Sequence, residues 1–534
     1  MSDTVRGSDD ATAIAQGYAF PEPGVQLGVL MTDDGPATDV PIRIPVSMFN
    51  RHGLVAGATG TGKTKTLQVM AEALSKAGVP VFAADIKGDL SGMASPGQPG
   101  EKLQARVDAQ GQPWSAAPFP CEFYALGGRG VGIPLRATVS SFGPILLGKV
   151  LGLNEVQESS LGLVFYYADK AGLPLLDLSD LIELLKYLTS DAGKAELKGI
   201  GGVSSSTVGV ILRNLVTLLS QGGDVFFGEP EFEPQDLLRR AADGRGVVSL
   251  LELPDLSSQP ELFSTFLMWL LADLFQSMPE VGDVEVPKLV FFFDEAHLLF
   301  NNASKSFLDS ITQTVRLIRS KGIGVFFVTQ TPKDVPSDVL AQLGSRVQHQ
   351  LRAHTPNDAK ALKATVSTYP TSGYDLGEVL VTLGTGEAIV TVMDPDGAPT
   401  PVAWTRIWAP ESSMSPTDPA VLQQAVAQSP LMPRYGQAID RDSAREMLTR
   451  KLEEGARSAE EEQRRTQEDQ RRRADEQARS RSTPTTQSRP APRQSTRREP
   501  SLVESVTGST AFKQFARTAA REIVRGLFGA GRRR

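Results

Sequence analysis

Residues 51–66, Arg51-His52-Gly53-Leu54-Val55-Ala56-Gly57-Ala58-Thr59-Gly60-Thr61-Gly62-Lys63-Thr64-Lys65-Thr66, decide the fold. Within them, residues 57–64 fit G-x-x-x-x-G-K-[ST], the Walker A phosphate loop. The glycines let the backbone curl so that successive N–H groups face the phosphates, and Lys63 adds a point charge. Thr64 offers a hydroxyl to Mg2+. Leu54-Val55-Ala56 reads as a short apolar strand before the loop. Residues 65–76 read as an amphipathic helix after it, whose positive end turns toward the anion. Gly57, Ala58, Thr59, Gly60, Thr61, Gly62, Lys63, Thr64 and Lys65 are therefore the expected nucleotide-binding residues.

Downstream, residues 79–84 form a continuous apolar run of the kind found in a buried parallel sheet. The run ends in Asp85-Ile86-Lys87-Gly88-Asp89. These charges stand beside the nucleotide, at a subunit contact, or in a solvated loop. Residues 246–253 resume the sheet. Residues 289–293, Leu-Val-Phe-Phe-Phe, then deliver Asp294 and Glu295 at a strand's carboxyl edge, a Walker B pattern. Asp294 is expected to hold Mg2+ through its water shell, and Glu295 to polarise the attacking water. Paired carboxylates at the end of a buried strand have no good structural role, because uncompensated charge there is costly. Gln330 closes the next apolar strand, residues 324–329, where it can touch the γ-phosphate or orient the water. Arg319, Arg346 and Arg352 are candidates for an arginine that enters a neighbouring subunit's site, with Arg352 preferred.

The remaining chain divides by composition and periodicity. Residues 1–20 are expected to be disordered and 24–45 to form a β hairpin, so that 1–45 is a tail and hairpin. The α/β core runs over 46–138 and 244–410. It is interrupted at 139–243 by a helical insert of about four helices. Residues 92–118 read as a surface loop, and 379–383 with 387–393 as a second hairpin. Residues 411–480 read as a charged extension, a solvated helix or a coiled coil lacking apolar a and d positions. Residues 481–510 read as a Pro/Ser/Thr/Arg-rich disordered linker. Residues 511–534 read as a basic amphipathic helix for nucleic acid, an anionic membrane surface, the protein body or a protein partner.

Length and composition bound the function. The 534 residues are 40% apolar and 22% charged, ordinary for a globular protein of several domains. The net charge of -7 argues against a uniformly basic nucleic-acid coat. By count on the sequence, residues 451–534 carry about +8 and the rest about -15. The single cysteine, Cys121, excludes an intrachain disulfide and a thiolate zinc site, and four histidines disfavour a histidine metal site. No signal-peptide pattern is seen, and the longest apolar run, 262–275, is interrupted by Asp273. A cytoplasmic protein without an integral membrane segment is expected.

The motif set resembles the HerA/FtsK superfamily of P-loop motors over roughly residues 40–408. The resemblance rests on Arg51-His52-Gly53-Leu54 running into the phosphate loop, and on Asp85-Ile86-Lys87-Gly88-Asp89. Asp294-Glu295-Ala296-His297, Arg319-Ser320-Lys321-Gly322-Ile323-Gly324, Thr329-Gln330 and Arg352 before Asn357-Asp358 complete it. Within the superfamily it is most similar to bacterial YjgR-type proteins with a HerA-like helicase domain. A DEAH-box reading of 294–297 fails, because only about 110 core residues follow Glu295. The resemblance implies a RecA-like fold, ATP hydrolysis with Mg2+, a hexameric ring with sites between subunits, and translocation on duplex DNA. Action on protein partners, or a nucleotide-controlled interaction protein, are the alternatives. About 50 residues before the core cannot build the full N-terminal β-barrel of HerA proteins, which puts a barrel-dependent partner in doubt.

Overall fold

The computed structural model describes residues 8–85, 88–197, 199–252, 260–301, 303 and 305–480. Twelve strands among them form one sheet. They are β1 (Gly24–Thr32), β2 (Gly35–Pro45), β3 (Gly53–Ala56), β4 (Val81–Asp85), β5 (Cys121–Leu126) and β6 (Ile133–Leu135), then β7 (Val248–Glu252), β8 (Leu289–Phe293), β9 (Ile323–Thr329), β10 (Ser345–Gln348), β11 (Glu387–Thr391) and β12 (Ala403–Ile407). Their spatial order is β2-β1-β12-β11-β10-β3-β9-β8-β4-β7-β5-β6. From β10 to β6 all neighbours are parallel. The remaining edge, β11-β12-β1-β2, is antiparallel. The phosphate-loop strand β3 sits centrally, one strand from the carboxylate-bearing β8.

Apolar runs without alternation form these strands because both faces of the sheet are covered. Along β8, Leu289, Phe291 and Phe293 feed one core while Val290 and Phe292 feed the other. β3 and β4 divide in the same way, Leu54 from Val55 and Phe82 from Ala83. The first core is roofed by helices Val139–Val150, Glu155–Lys170, Leu178–Thr189, Ser205–Ser220, Pro260–Ser277 and Lys305–Ile318. Thus the segment between β6 and β7 shares one continuous apolar core with the sheet. The second core lies beneath helices Ser8–Gly17, Lys63–Lys76 and Pro419–Ala427.

Four local expectations change. Helix Ser8–Gly17 lies within the stretch expected to be disordered. Ile14 and Tyr18 are buried, and the Tyr18 hydroxyl donates to the Val390 carbonyl at 3.0 Å while accepting from Thr400 at 2.9 Å. Residues 92–118 contain helix Glu101–Ala109. Residues 379–383 are not a strand, since helix Leu376–Thr382 occupies this place. Its Asp375 cap accepts from Glu378 N, and Leu376, Val379, Leu380 and Leu383 face one small core at helical spacing. A fifth short helix, Asp191–Leu197, adds to the four of the insert. The expected linker and basic helix, residues 481–534, lie outside the described residues.

The last described element is helix Ala444–Ser480. Ala444 and Leu448 are buried, and Arg445 N donates to Asp180 Oδ1 at 3.0 Å. From residue 451 to 475 every side chain is exposed, as expected for a helix without an apolar face. Tyr18→Ala is expected to cost about 3–5 kcal/mol, comparable to other large-to-small aromatic truncations. A urea midpoint unchanged from the parent would show that the N-terminal helix is not part of the cooperative core.

Candidate functional site

The phosphate loop leaves β3 and is pinned to the strands on both its sides. Gly57 N donates to the Thr329 carbonyl of β9 at 3.2 Å, and Ala58 N donates to the carbonyl of Gln350, beyond β10, at 2.8 Å. His349 N donates to Ala56 O at 2.7 Å. Thr61 closes the loop internally, its hydroxyl reaching Ala58 O at 2.8 Å. From above, Gly386 N donates to Thr61 O at 2.9 Å. Space explains two glycines. A Cβ on Gly57 would stand 2.5 Å from that of His349, and one on Gly62 would stand 3.2 Å from the Gly386 backbone. Gly62 also has φ 117°, a conformation other residues resist.

Lys63 lies inside the loop, its ammonium donating to the carbonyls of Gly57 at 2.6 Å and Ala58 at 3.1 Å. Helix Lys63–Lys76 begins at Gly62 with no side-chain cap. Its first N–H groups are therefore available to an anion. Thr59 and Gly60 are exposed at the loop tip, and Thr64 is half-buried beside it. Lys65 points elsewhere. Its ammonium donates to Met414 O at 2.7 Å, so only its backbone can serve a nucleotide.

β8 brings Asp294 and Glu295 to the same edge of the sheet, with only β9 between it and β3. The Asp294 carboxylate accepts from Glu295 N at 2.9 Å. Glu295 has φ 47°, one of two non-glycine residues with positive φ among those described. Such a conformation costs about 1–3 kcal/mol and persists where packing over-determines it. Here Ala296 N is tied to Val328 O at 2.9 Å and Ala296 is buried, which holds the turn at Glu295 in place. Glu295 Oε2 lies 3.4 Å from His297 Nδ1. Gln330 is exposed immediately after Thr329, the residue that accepts from Gly57. A hydroxyl and a carboxylate, Thr64 and Asp294, suit a hard ion that keeps several waters and takes other ligands from phosphate.

The three arginines separate. Arg352 Nη2 donates to Thr59 O at 3.3 Å, on its own chain's phosphate loop. Arg319 and Arg346 lie at the opposite, amino edge of the sheet. Arg319 pairs with Asp283 at 2.6 Å, and Arg346 donates to the Thr368 hydroxyl at 2.7 Å.

His349, unassigned from the sequence, connects the loop to the antiparallel edge. Its Nδ1 is 2.8 Å from Glu387 O, which only a protonated nitrogen can satisfy. Nε2, 2.8 Å from Thr66 Oγ1, is then the acceptor. The Glu387 carboxylate in turn accepts from Gly384 N, Trp404 Nε1 and Arg406 Nη1. Arg106 donates to Gly386 O at 3.0 Å and Ile407 O at 2.8 Å, clasping the same turn. A lone histidine between two glutamines just past a strand carries no spacing signal, so only the fold reveals it.

A phosphate loop on a buried parallel strand, with two carboxylates one strand away, defines a P-loop nucleoside triphosphatase. Residues 31–534 match the family described as Helicase HerA-like C-terminal, and the chain belongs to that family. It is 22% identical over 358 residues to the DNA double-strand break repair helicase HerA of Saccharolobus solfataricus, covering 66% of this chain and 64% of that one. The chain thus spans less than two thirds of that relative. With the protein of the same description from Sulfurisphaera tokodaii it shares 23% over 375 residues, 70% of this chain and 67% of the other. Plasmid coupling protein TrwB in complex with ADP and Mg2+ has the same fold, with TM-score 0.51 at 16% identity, over 77% of this chain and 95% of that one. No helix among the described residues is long and apolar enough to cross a membrane.

Burial holds the pKa of His349 down to about 4, and that of His52, buried at the start of β3, likewise to about 4. Between pH 6.5 and 4 the unfolded chain therefore binds protons that the folded chain does not. Stability is full above the unfolded pKa and falls with pH through this window, by roughly 3 kcal/mol per histidine at the limit. Urea midpoints from pH 7 to 4.5 should show this fall, and His349→Gln should make it shallower by about one proton. An equally steep fall in the variant would show that His349 charges in the folded state.

Proposed function

We propose that the chain is an ATP-driven motor that moves on duplex DNA as a ring of identical subunits, hexameric by family resemblance, in the cytoplasm. The observation that carries the reading is the convergence of the phosphate loop and the strained Asp294–Glu295 turn on one edge of a single sheet. A passive nucleotide switch has no use for a carboxylate held at that cost. In the proposed reaction Lys63 and the loop N–H groups hold the β- and γ-phosphates. Thr64 and Asp294 would hold Mg2+, and the ion would supply positive charge to the phosphates. Glu295 takes up the proton of the attacking water, and Gln330 contacts the γ-phosphate or that water.

Arg352 acts on its own chain's nucleotide through the loop tip, because it already touches Thr59. The arginine that reaches a neighbour's phosphate is then Arg319 or Arg346, at the edge farthest from their own loop. Membership of a helicase family supports DNA as the track. So does the name of the relatives, helicases of DNA double-strand break repair.

Turnover of ATP by the purified chain, with and without duplex DNA, tests this. DNA should stimulate turnover severalfold, and the stimulation should weaken steeply between about 50 and 200 mM salt. Glu295→Gln should lose about 100-fold or more of the rate while still binding nucleotide. Robust turnover indifferent to DNA would overturn the DNA track and direct the search to protein partners.

A further inference from the structure

At the amino edge of the sheet, opposite the phosphate loop, lies a cavity of about 480 Å³ lined by Arg51, Arg316, Arg319, Arg346, Gln342 and Tyr369 among others, with no acidic residue in its lining. Four guanidinium groups around one cavity repel one another. Arg51 shows the strain, because desolvation and the Arg319 charge both lower its pKa. Its Nε is buried without a hydrogen-bond partner among the described residues. Among the described residues one carboxylate answers this charge, from the rim. Asp283 takes Arg319 in a fork, Oδ1 to Nε at 3.0 Å and Oδ2 to Nη2 at 2.7 Å, and stands 3.6 Å from Arg51.

The rim loop is built so that this carboxylate can leave alone. Val281 N and Gly282 N donate to Ser320 O at 2.8 and 3.0 Å, and Lys288 N donates to Gly322 O at 2.8 Å. The loop's seat is therefore backbone, while the Asp283 side chain is 63% exposed. A planar anion that forks one arginine and neighbours a second occupies the place a phosphoryl group would take. Arg51 and Thr59 are at opposite ends of β3, whose four residues rise about 13 Å, so this chain's own phosphate loop cannot supply that group.

We propose that the arginine cavity is a phosphoryl-anion site and that Asp283 is its built-in stand-in, which must be displaced before the site takes a phosphoryl group. The proposal rests on the reading that an arginine acts in trans, and it adds a gate to that reading. Asp283 holds Arg319 from the solvent-exposed rim, where salt screens the pair and a doubly charged phosphoryl group competes with a single carboxylate for the guanidinium. The group comes from a nucleotide on a second copy of the chain or from a DNA backbone.

The test uses the full chain carrying Asp283→Asn, which keeps shape and removes charge. ATP turnover per subunit is measured against protein concentration, with Arg319→Ala alone and in the Asp283→Asn background. DNA affinity is measured in a Lys63→Ala chain with and without Asp283→Asn. A two- to tenfold lower concentration for half-maximal turnover in Asp283→Asn, abolished by Arg319→Ala, supports the proposal with a second copy as the source. An unchanged concentration profile with severalfold tighter DNA binding supports it with DNA as the source. If Arg319→Ala lowers turnover but Asp283→Asn changes neither readout, the gate is overturned and the trans arginine stands. If Arg319→Ala also changes neither, the trans reading through Arg319 falls with the gate.

Discussion

The two backbone hydrogen bonds that seat the phosphate loop, Gly57 N to Thr329 O and Ala58 N to Gln350 O, are the contacts on which the site depends. They require β9 and β10 to flank β3 in parallel and in register, because only then do both carbonyls lie beside the loop's first turn. That arrangement in turn requires helices over both faces of the sheet, since parallel strands joined by crossovers bury each face. The division of Leu54 and Val55 between two cores is this requirement seen at one strand.

A second set of contacts extends the site beyond the parallel sheet. His349 joins Thr66, two residues past the nucleotide motif, to the Glu387 carbonyl, and the Glu387 carboxylate gathers Gly384, Trp404 and Arg406. β11 and β12 are therefore tied to the phosphate loop, and through β12 so is the N-terminal hairpin. Displacement of the loop is resisted by buried hydrogen bonds, each expensive to leave unmade.

The two ends of the central strands carry different chemistry. At their carboxyl ends are the phosphate loop, Asp294, Glu295, Gln330 and Arg352. At their amino ends are Arg51, Arg316, Arg319 and Arg346. A parallel sheet separates these sets by the length of its strands, so one chain cannot bring both to the same nucleotide.

Much of this was legible in the sequence. The octet 57–64 specifies its own backbone path, because its glycines and its lysine have few other uses at that spacing. A run of five apolar residues ending in Asp294-Glu295 is similarly self-declaring. Doubly buried strands follow from runs without alternation. Val379 to Leu383 is apolar and β-prone and so reads as a strand, while the Asp375 cap and the partners Leu351, Ile389 and Val402 that select the helix lie outside that window. The helix at residues 8–17 is polar and weakly patterned in sequence, and it is ordered by burial of Ile14 and Tyr18 in the second core and by the Tyr18 bonds to residues nearly four hundred positions away. Nor do arginines declare their side of a sheet. Arg352 meets its own loop and Arg319 the far edge because strand direction and order set those places. Local chemistry, then, was determined by the sequence itself, since each motif acts through neighbours within a few residues. Which groups share a site, His349 with Thr66 or Asp283 with Arg51, was decided by the tertiary structure alone, because such contacts depend on strand order that no local pattern encodes.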